Sequence, residues 1–279
     1  MYVDTSQFEA PVPAGRLQRA SGGLRLAFRR RGDVTALHTL FQEGSAKARL
    51  PRAFHQPPEA ILINTAGGLA GGDRFSTEIV LDDRADLVVT TQACERVYRS
   101  LGDAAEVSAR LTVGRGARLD WLPQETILFD GSRLRRRFEV DLGDDAEFLA
   151  VEAVLFGRMA MGETVHSGAF HDRWRIRRNG ELLFADDLRL EGDIGAQLRR
   201  PAVLAGQAAM ATAIYAGEQC ECLLEPVREA IGDDGGASAW GGKLLVRIAA
   251  TDGLELRSKL IPALSVLMDG RPLPKVWQI

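Results

Sequence analysis

The side chains in this chain best suited to handling a cation or a proton are carboxylates set among glycines and apolar residues. Asp73 ends the run Gly67-Gly68-Leu69-Ala70-Gly71-Gly72-Asp73, and Glu163 ends Gly157-Arg158-Met159-Ala160-Met161-Gly162-Glu163. Glu125 and Asp130 sit inside Trp121-Leu122-Pro123-Gln124-Glu125-Thr126-Ile127-Leu128-Phe129-Asp130. A carboxylate held by glycine-rich turns can approach a cation or a water channel without bulky neighbours. In apolar surroundings its charge is costly unless it is paired or solvated. Two readings stay open: each carboxylate pairs with an arginine such as Arg74, Arg99 or Arg158, or it serves a function.

Other chemistries lack their parts. The glycine spacing at 67–72 is not G-x-G-x-x-G, no Gly-Lys-Ser/Thr follows, and Asp73 would repel phosphate. The residues after it read as strand, so no helix N-terminus offers an anion site. There is no G-x-S-x-G elbow. Cys94 neighbours Glu95, which would raise rather than lower a thiol pKa. His166 and His171 lie five apart, neither a zinc-binding helix pair nor a same-face strand pair. Cys220-Glu221-Cys222 has no second pair to close a structural zinc site.

The elements that must position these groups are mostly strands. Short β-type runs recur at Leu24–Phe28, Val34–Leu40, Ala60–Asn64, Phe75–Leu81 and Leu87–Thr91. Phe75, Thr77, Ile79 and Leu81 alternate with Ser76, Glu78 and Val80, a half-buried strand pattern. Val107 to Val113 and Phe138 to Leu142 repeat it. Trp174 and Ile176 alternate with Arg173, Arg175 and Arg177 before Asn179-Gly180, which supplies a positive-φ hairpin turn with Glu181–Leu190 returning. The basic run Arg133–Arg137 reads as an exposed strand face rather than a phosphate site. Helices come late. Leu260, Ile261, Leu264, Leu267 and Met268 mark one helix face, with Pro262 expected in its first turn. A second helix is placed at 219–231, strained by Pro226. Residues 232–242 read as a flexible connector. No internal repeat stands out, and no helix alternates with the strands as a doubly wound sheet requires.

Bulk composition sets limits. The 279 residues carry 46% hydrophobic and 26% charged side chains and 29 glycines, which points to a soluble, turn-rich and β-rich chain. A net charge of −3 gives no reason to expect nucleic acid. Three cysteines form no disulfide framework, and neither a signal peptide nor an apolar run of about 20 residues is visible. The expectation is a cytoplasmic protein with no membrane contact, one domain over 1–279, and a loosely ordered segment at 1–22.

Taken in order, the motifs resemble the urease accessory protein D family over nearly the whole chain. They are Gly22-Gly23-Leu24-Arg25-Leu26, Gly67 to Asp73, Thr90-Thr91-Gln92-Ala93, Val97-Tyr98-Arg99-Ser100, Trp121 to Glu125, Gly157 to Glu163, and Leu273-Pro274-Lys275-Val276-Trp277. Two departures occur: Asn64-Thr65-Ala66 stands where many members have a proline before the paired glycines, and Arg96 where many have lysine.

The resemblance implies a mainly β fold, a superhelical or layered arrangement of many short strands with about two α-helices toward the C-terminus. It implies no enzyme activity. It implies an assembly factor that binds apo-urease and a helical F-type accessory protein, through which the nickel-carrying G-type GTPase is recruited. No tightly bound cofactor is expected, only transient Ni2+. Nickel prefers histidine and thiolate to carboxylate and water, so a conduit that must also release the ion should use the latter. On that reading Asp73 and Glu163, then Glu125 and Asp130, line a weak nickel path. Tyr98, Arg99, Trp121, Arg158 and Trp277 are placed at fold or partner interfaces. The competing readings are a metal-dependent hydrolase using Asp73, Glu163 and a histidine, and a scaffold in which the carboxylates are dispensable.

Overall fold

The computed structural model describes residues 18–51, 57–158 and 161–278. Its strands, in chain order, begin with β1 (Ser21–Arg31), β2 (Val34–Gly44), β3 (Ala46–Arg49), β4 (Glu59–Asn64), β5 (Arg74–Leu81) and β6 (Asp86–Thr91). The middle of the chain forms β7 (Glu95–Val97), β8 (Ala105–Val113), β9 (Arg118–Leu122), β10 (Thr126–Leu128), β11 (Arg133–Leu142) and β12 (Glu147–Phe156). The remainder comprises β13 (Ser167–Arg178), β14 (Glu181–Asp193), α1 (Ile194–Leu198), β15 (Ala209–Ala216), α2 (Leu224–Ile231), β16 (Gly235–Trp240), β17 (Lys243–Ala250) and α3 (Gly253–Leu267).

These strands form two sheets, and the chain winds between them. The first sheet has the order β14-β13-β11-β8-β5-β1-β2. Its inner strands β1, β5, β8, β11 and β13 are all parallel. In the second sheet β4, β6, β9 and β12 are parallel, and β15, β17 and β16 extend it antiparallel. Parallel neighbours need a long crossover. Here each crossover is a strand of the other sheet, so β5–β6, β8–β9 and β11–β12 are successive coils of a solenoid, roughly thirty residues each. The mainly β, layered expectation with late helices holds.

The side-chain pattern fits this winding. On β11, Leu134, Arg136, Phe138, Val140 and Leu142 are buried while Arg133, Arg135 and Arg137 face out. β12 is buried along nearly its whole length because both of its faces are covered. Phe148 and Ala150 join the core between the sheets, with Leu26, Ile79, Leu111, Phe138 and Trp174. Leu149, Val151 and Ala153 meet Leu256, Leu260 and Leu264 of α3 on the other side. A third cluster, including Leu69, Val97, Leu128, Phe156 and Phe170, closes one end of the solenoid.

Several local expectations need correction. Ser21 and Gly22 belong to β1, while residues 1–17 of the expected loose segment lie outside the described residues. α3 starts at Gly253, so Pro262 falls inside it rather than in its first turn. The helix begins early because Asp252 caps it, accepting from the Glu255 N–H at 2.9 Å. Burial of Leu256, Leu260, Leu264 and Leu267 offsets the missing proline N–H. α2 starts at Leu224, which places Pro226 in the first turn, where N–H groups have no helical partner. The 232–242 segment is not a connector. It contains β16, which folds onto β17 through Gly241 and Gly242, both at positive φ. The Asn179-Gly180 hairpin forms as expected, with φ of 51° and 82°.

Candidate functional site: a cavity between the sheets

The coils stack so that motifs from successive turns become neighbours. The Tyr98 N–H donates to Leu69 O at 2.8 Å, Phe129 N–H to Val97 O at 3.0 Å, and Gly157 N–H to Leu128 O at 2.8 Å. The glycine-rich turn is therefore a crossing from one sheet to the other, not a turn between two adjacent strands. Gly68 has φ +148°, and an added Cβ there would meet the Tyr98 ring and lie 2.8 Å from Arg96 O. The glycine is required by close approach of the next coil.

Beside these crossings, a cavity of about 330 Å³ opens between the sheets. Asn64 and Gly68 reach it from one coil, Cys94 and Glu95 from the next, and Trp121 and Gln124 from the third. Arg136 and Glu152 close its wall. The Thr-Thr-Gln-Ala block and the Trp-Leu-Pro-Gln-Glu block thus share one space, which explains their presence together.

Its polar groups are unevenly charged. Burial pushes the Glu95 carboxyl up to about 7; hydrogen bonds from Asn64 and the Arg96 backbone oppose this, and the negative Asp73 adds to it. Burial and then Glu125 push the Cys94 thiol up to about 11, so it is a neutral donor, 3.2 Å from Glu125 Oε2. Burial works against the Glu125 charge as well, but hydrogen bonds from Arg257, 2.5 Å away, overcome it and hold this carboxyl low. Arg136 bridges the sheets. It pairs with Asp172 through Nε at 2.9 Å and Nη2 at 2.6 Å, and directly with Glu152 of the second sheet. Burial opposes the Arg136 charge, and its two carboxylates outweigh burial to raise its pKa. Trp121 Nε1 donates to the other Glu152 oxygen at 3.0 Å. Among the described residues, Gln124 Nε2 is buried without a hydrogen-bond partner. An orphaned buried donor at the cavity edge is a place for ordered water.

The four expected carboxylates are dispersed around this cavity rather than lining it. Asp73 is buried, and its two oxygens accept the N–H groups of Ala20 at 2.8 Å and Ala70 at 2.7 Å. Arg74 pairs with Glu106 instead. Glu125 is locked to Arg257. Asp130 accepts from the N–H groups of Ser167 and His166 and from Arg99, and hydrogen bonds from Ser167 first among them hold it low. Glu163 pairs with Arg158 at 2.6 Å; Met159 and Ala160 of its motif lie outside the described residues. Of the expected interface residues, Trp121 and Trp277 are buried in the chain's own core, Trp277 donating to Leu122 O at 3.0 Å. Tyr98, Arg99 and Arg158 are at the surface of the closed end, where Tyr98 meets Phe129 edge-on at 5.2 Å and Arg158 lies 4.2 Å over the same ring. Among the described residues no three His, Cys, Asp or Glu side chains group closely enough to hold a metal ion, so the hydrolase triad of Asp73, Glu163 and a histidine does not assemble.

Sequence reasoning missed Glu95, Glu152, Arg136 and Asn64. The available signal was spacing: Asn64 to Glu95, Cys94 to Glu125 and Trp121 to Glu152 are each 31 residues apart.

Fold and site together define a two-sheet β-solenoid whose coil crossings border a largely apolar cavity edged by a few polar groups, with no three-ligand metal cluster among the described residues. The chain belongs to the UreD urease accessory protein family, whose sequence profile matches residues 20–278. It is 54% identical to the urease accessory protein UreD of Rhizobium etli over 95% of this chain and 98% of that relative. The UreD proteins of Agrobacterium fabrum and Brucella suis are 52% and 48% identical, each over 95% of this chain and over 93% and 97% of their own lengths. Among the described residues no helix is long and apolar enough to cross a membrane.

Proposed function

We propose that this protein is a urease assembly factor that passes nickel to apo-urease through the cavity between its sheets. It works in the cytoplasm and bridges apo-urease to an F-type accessory protein and, through it, to the G-type GTPase. It catalyses no reaction of its own; nickel is its cargo. Membership of the UreD family supports the assembly role. The observation that carries the conduit is the place of Glu95 in the cavity wall, its carboxyl raised by burial to about 7, beside the unpaired Gln124 donor and with no three-ligand cluster among the described residues.

A transferred ion must bind well enough to enter and weakly enough to leave. Nickel held by imidazole or thiolate would stay. In the proposed path a hydrated ion meets Glu95 and Glu152, and Glu95 exchanges its proton for the ion. Asp73 acts behind Glu95, disfavouring its ionised form in the absence of a cation. Glu125 positions Cys94 through their hydrogen bond. Asp130 and Glu163, at the surface beside Arg99, Tyr98 and Arg158, mark the proposed end that meets a partner.

The test is urease activation in cells producing urease, its accessory proteins and either Glu95→Ala or Asp73→Ala. Co-elution of the variant with the F-type protein and apo-urease first establishes assembly. Assembled complexes with urease nickel content reduced several-fold are expected. Full nickel loading in both variants would leave the plain scaffold as the function, since a scaffold has no use for these carboxylates.

A further inference from the structure

The alternating arginines of β11 have a second environment. Arg136 points into the cavity, but Arg133, Arg135 and Arg137 project from the opposite face of the first sheet. There they border a groove of about 900 Å³, with Arg19, Arg74 and Arg189 around them. Six arginines and His171 face three carboxylates, Asp103, Glu106 and Glu191, in a chain whose net charge is −3. Positive charge is therefore concentrated on this face against the balance of the whole molecule.

Two features make this more than a solvated strand face. Other arginines of this sheet are ion-paired, Arg25 with Glu78 and Arg110 with Glu139 outside the groove, and Arg74 with Glu106 and Arg189 with Glu191 within it. Among the described residues, Arg135 and Arg137 have no carboxylate within ion-pair distance, and Arg133 only donates to the Gly102 carbonyl, at 3.3 Å. Beside them the floor drops: Ser76 and Ser108 are register partners on β5 and β8, and Arg137 aligns with Ser108. A shallow trough floored by Ser76 and Ser108 thus runs beside Arg135 and Arg137, with Glu106 in register with Arg135 and Glu191 near Arg133 and Arg135 but none of the three arginines in a direct ion pair among the described residues.

We propose that this trough docks an extended acidic segment of a partner protein, with carboxylates on every second residue set against Arg133, Arg135 and Arg137. Alternate residues of a strand lie about 6.6 Å apart. An extended peptide has nearly the same repeat, so Asp or Glu at i, i+2 and i+4 matches the three arginines in register. The guanidinium fork suits a carboxylate with two parallel hydrogen bonds. A uniformly charged polyanion fits less well, because Asp103 and the ion pairs of Glu106 with Arg74 and Glu191 with Arg189 interrupt the positive groups of the groove. The site lies on the opposite side of the first sheet from the cavity and does not depend on the nickel path.

The experiment uses the full chain and two fluorescein-labelled nine-residue peptides of equal composition, one alternating Glu and Ser, the other with its five Glu contiguous. Fluorescence anisotropy should show the alternating peptide binding at least fivefold more tightly. Reversal of Arg133, Arg135 and Arg137 to Glu should weaken it at least tenfold. Reversal of Arg31, Arg84 and Arg115, exposed outside the groove, should change it less than twofold. Should the groove triple variant fail to fold, Arg135→Gln alone should weaken binding about threefold. Equal affinity for the two peptides, unchanged binding by the groove variants, or equal loss in the control reversal would overturn the proposal. So would an oligothymidylate of matched charge binding as tightly as the alternating peptide, which would make the face a general polyanion surface.

Discussion

The Asn64 amide nitrogen lies 3.2 Å from each carboxylate oxygen of Glu95, 31 residues further along the chain. One coil thus holds the titrating group of the next. The same nitrogen also donates to Gly68 O at 3.1 Å, which ties this carboxyl to the glycine-rich crossing.

Glu95 gives a pH dependence with a definite sign. Its carboxyl is raised from 4.5 to about 7, so the folded state holds this proton over a range where the unfolded chain has lost it. The contribution is full below about pH 4.5 and is lost as pH rises through about 7. Glu95→Gln removes that loss while keeping an acceptor for Asn64. Denaturant unfolding at pH 5 and pH 8 should show the variant gaining about 2 kcal/mol relative to the parent at the higher pH. A constant difference between the two would mean that Glu95 titrates normally.

Glu125 has the opposite sign. Its carboxyl is held low against burial by Arg257, so its contribution is present above the ordinary carboxylate range and lost as pH falls through its lowered value. Replacing Arg257 by Met leaves Glu125 and Gln124 without this partner; Glu125 is 2% exposed. A loss of about 3 kcal/mol is expected at pH 7, less at pH 4, where protonation relieves the unpaired charge. Equal losses at both pH values would count against the pair.

Arg136 joins the two sheets, and its neighbours cannot replace it. Arg136→Met strands Glu152 and Asp172, both buried, and should cost about 3–5 kcal/mol. Adding Glu152→Gln and Asp172→Asn should recover much of it, since the unpaired charges cause most of the cost. Thermal melts of the single and triple variants test this; a triple variant no more stable than the single one contradicts it.

Gly68→Ala would place a methyl group against the Tyr98 ring and Arg96 O at a φ of +148° that other residues rarely adopt. A loss of about 2 kcal/mol or more is expected. Gly67→Ala, with open space around its added Cβ, should cost less despite its φ of +78°. Comparable melting temperatures for the two would show that the crossing has room to adjust.

Much of the fold was legible in the chain. The alternation at Phe75–Leu81 and Phe138–Leu142 identified strands and their buried faces, because one side of the first sheet meets water; the exposed face expected for Arg133–Arg137 fails at Arg136, which turns inward to pair with Glu152 and Asp172. Asn179-Gly180 announced its hairpin, because two adjacent positive-φ residues suit few other structures. Where local signals conflicted, burial prevailed: Pro262 entered a helix whose apolar face is covered, and the glycine-rich 232–242 segment became part of a hairpin.

The site was legible only in part. The sequence by itself determined many of the strands, the inward faces of those whose apolar residues alternate, and that carboxylates sit among glycines. It also carried the ordered motifs that mark the family. Only the tertiary structure decided who meets whom. Asp73 and Glu163 read alike as glycine-framed carboxylates, yet one is buried against two backbone N–H groups and the other pairs with Arg158 at the surface. Glu95 and Glu152 sit in ordinary strand sequence and become neighbours of the cavity through stacking. A period-two pattern specifies the face of a strand but not its neighbouring strand. In a solenoid that neighbour lies one coil away, beyond the range of any local signal, and the fit of the stacked coils selects it.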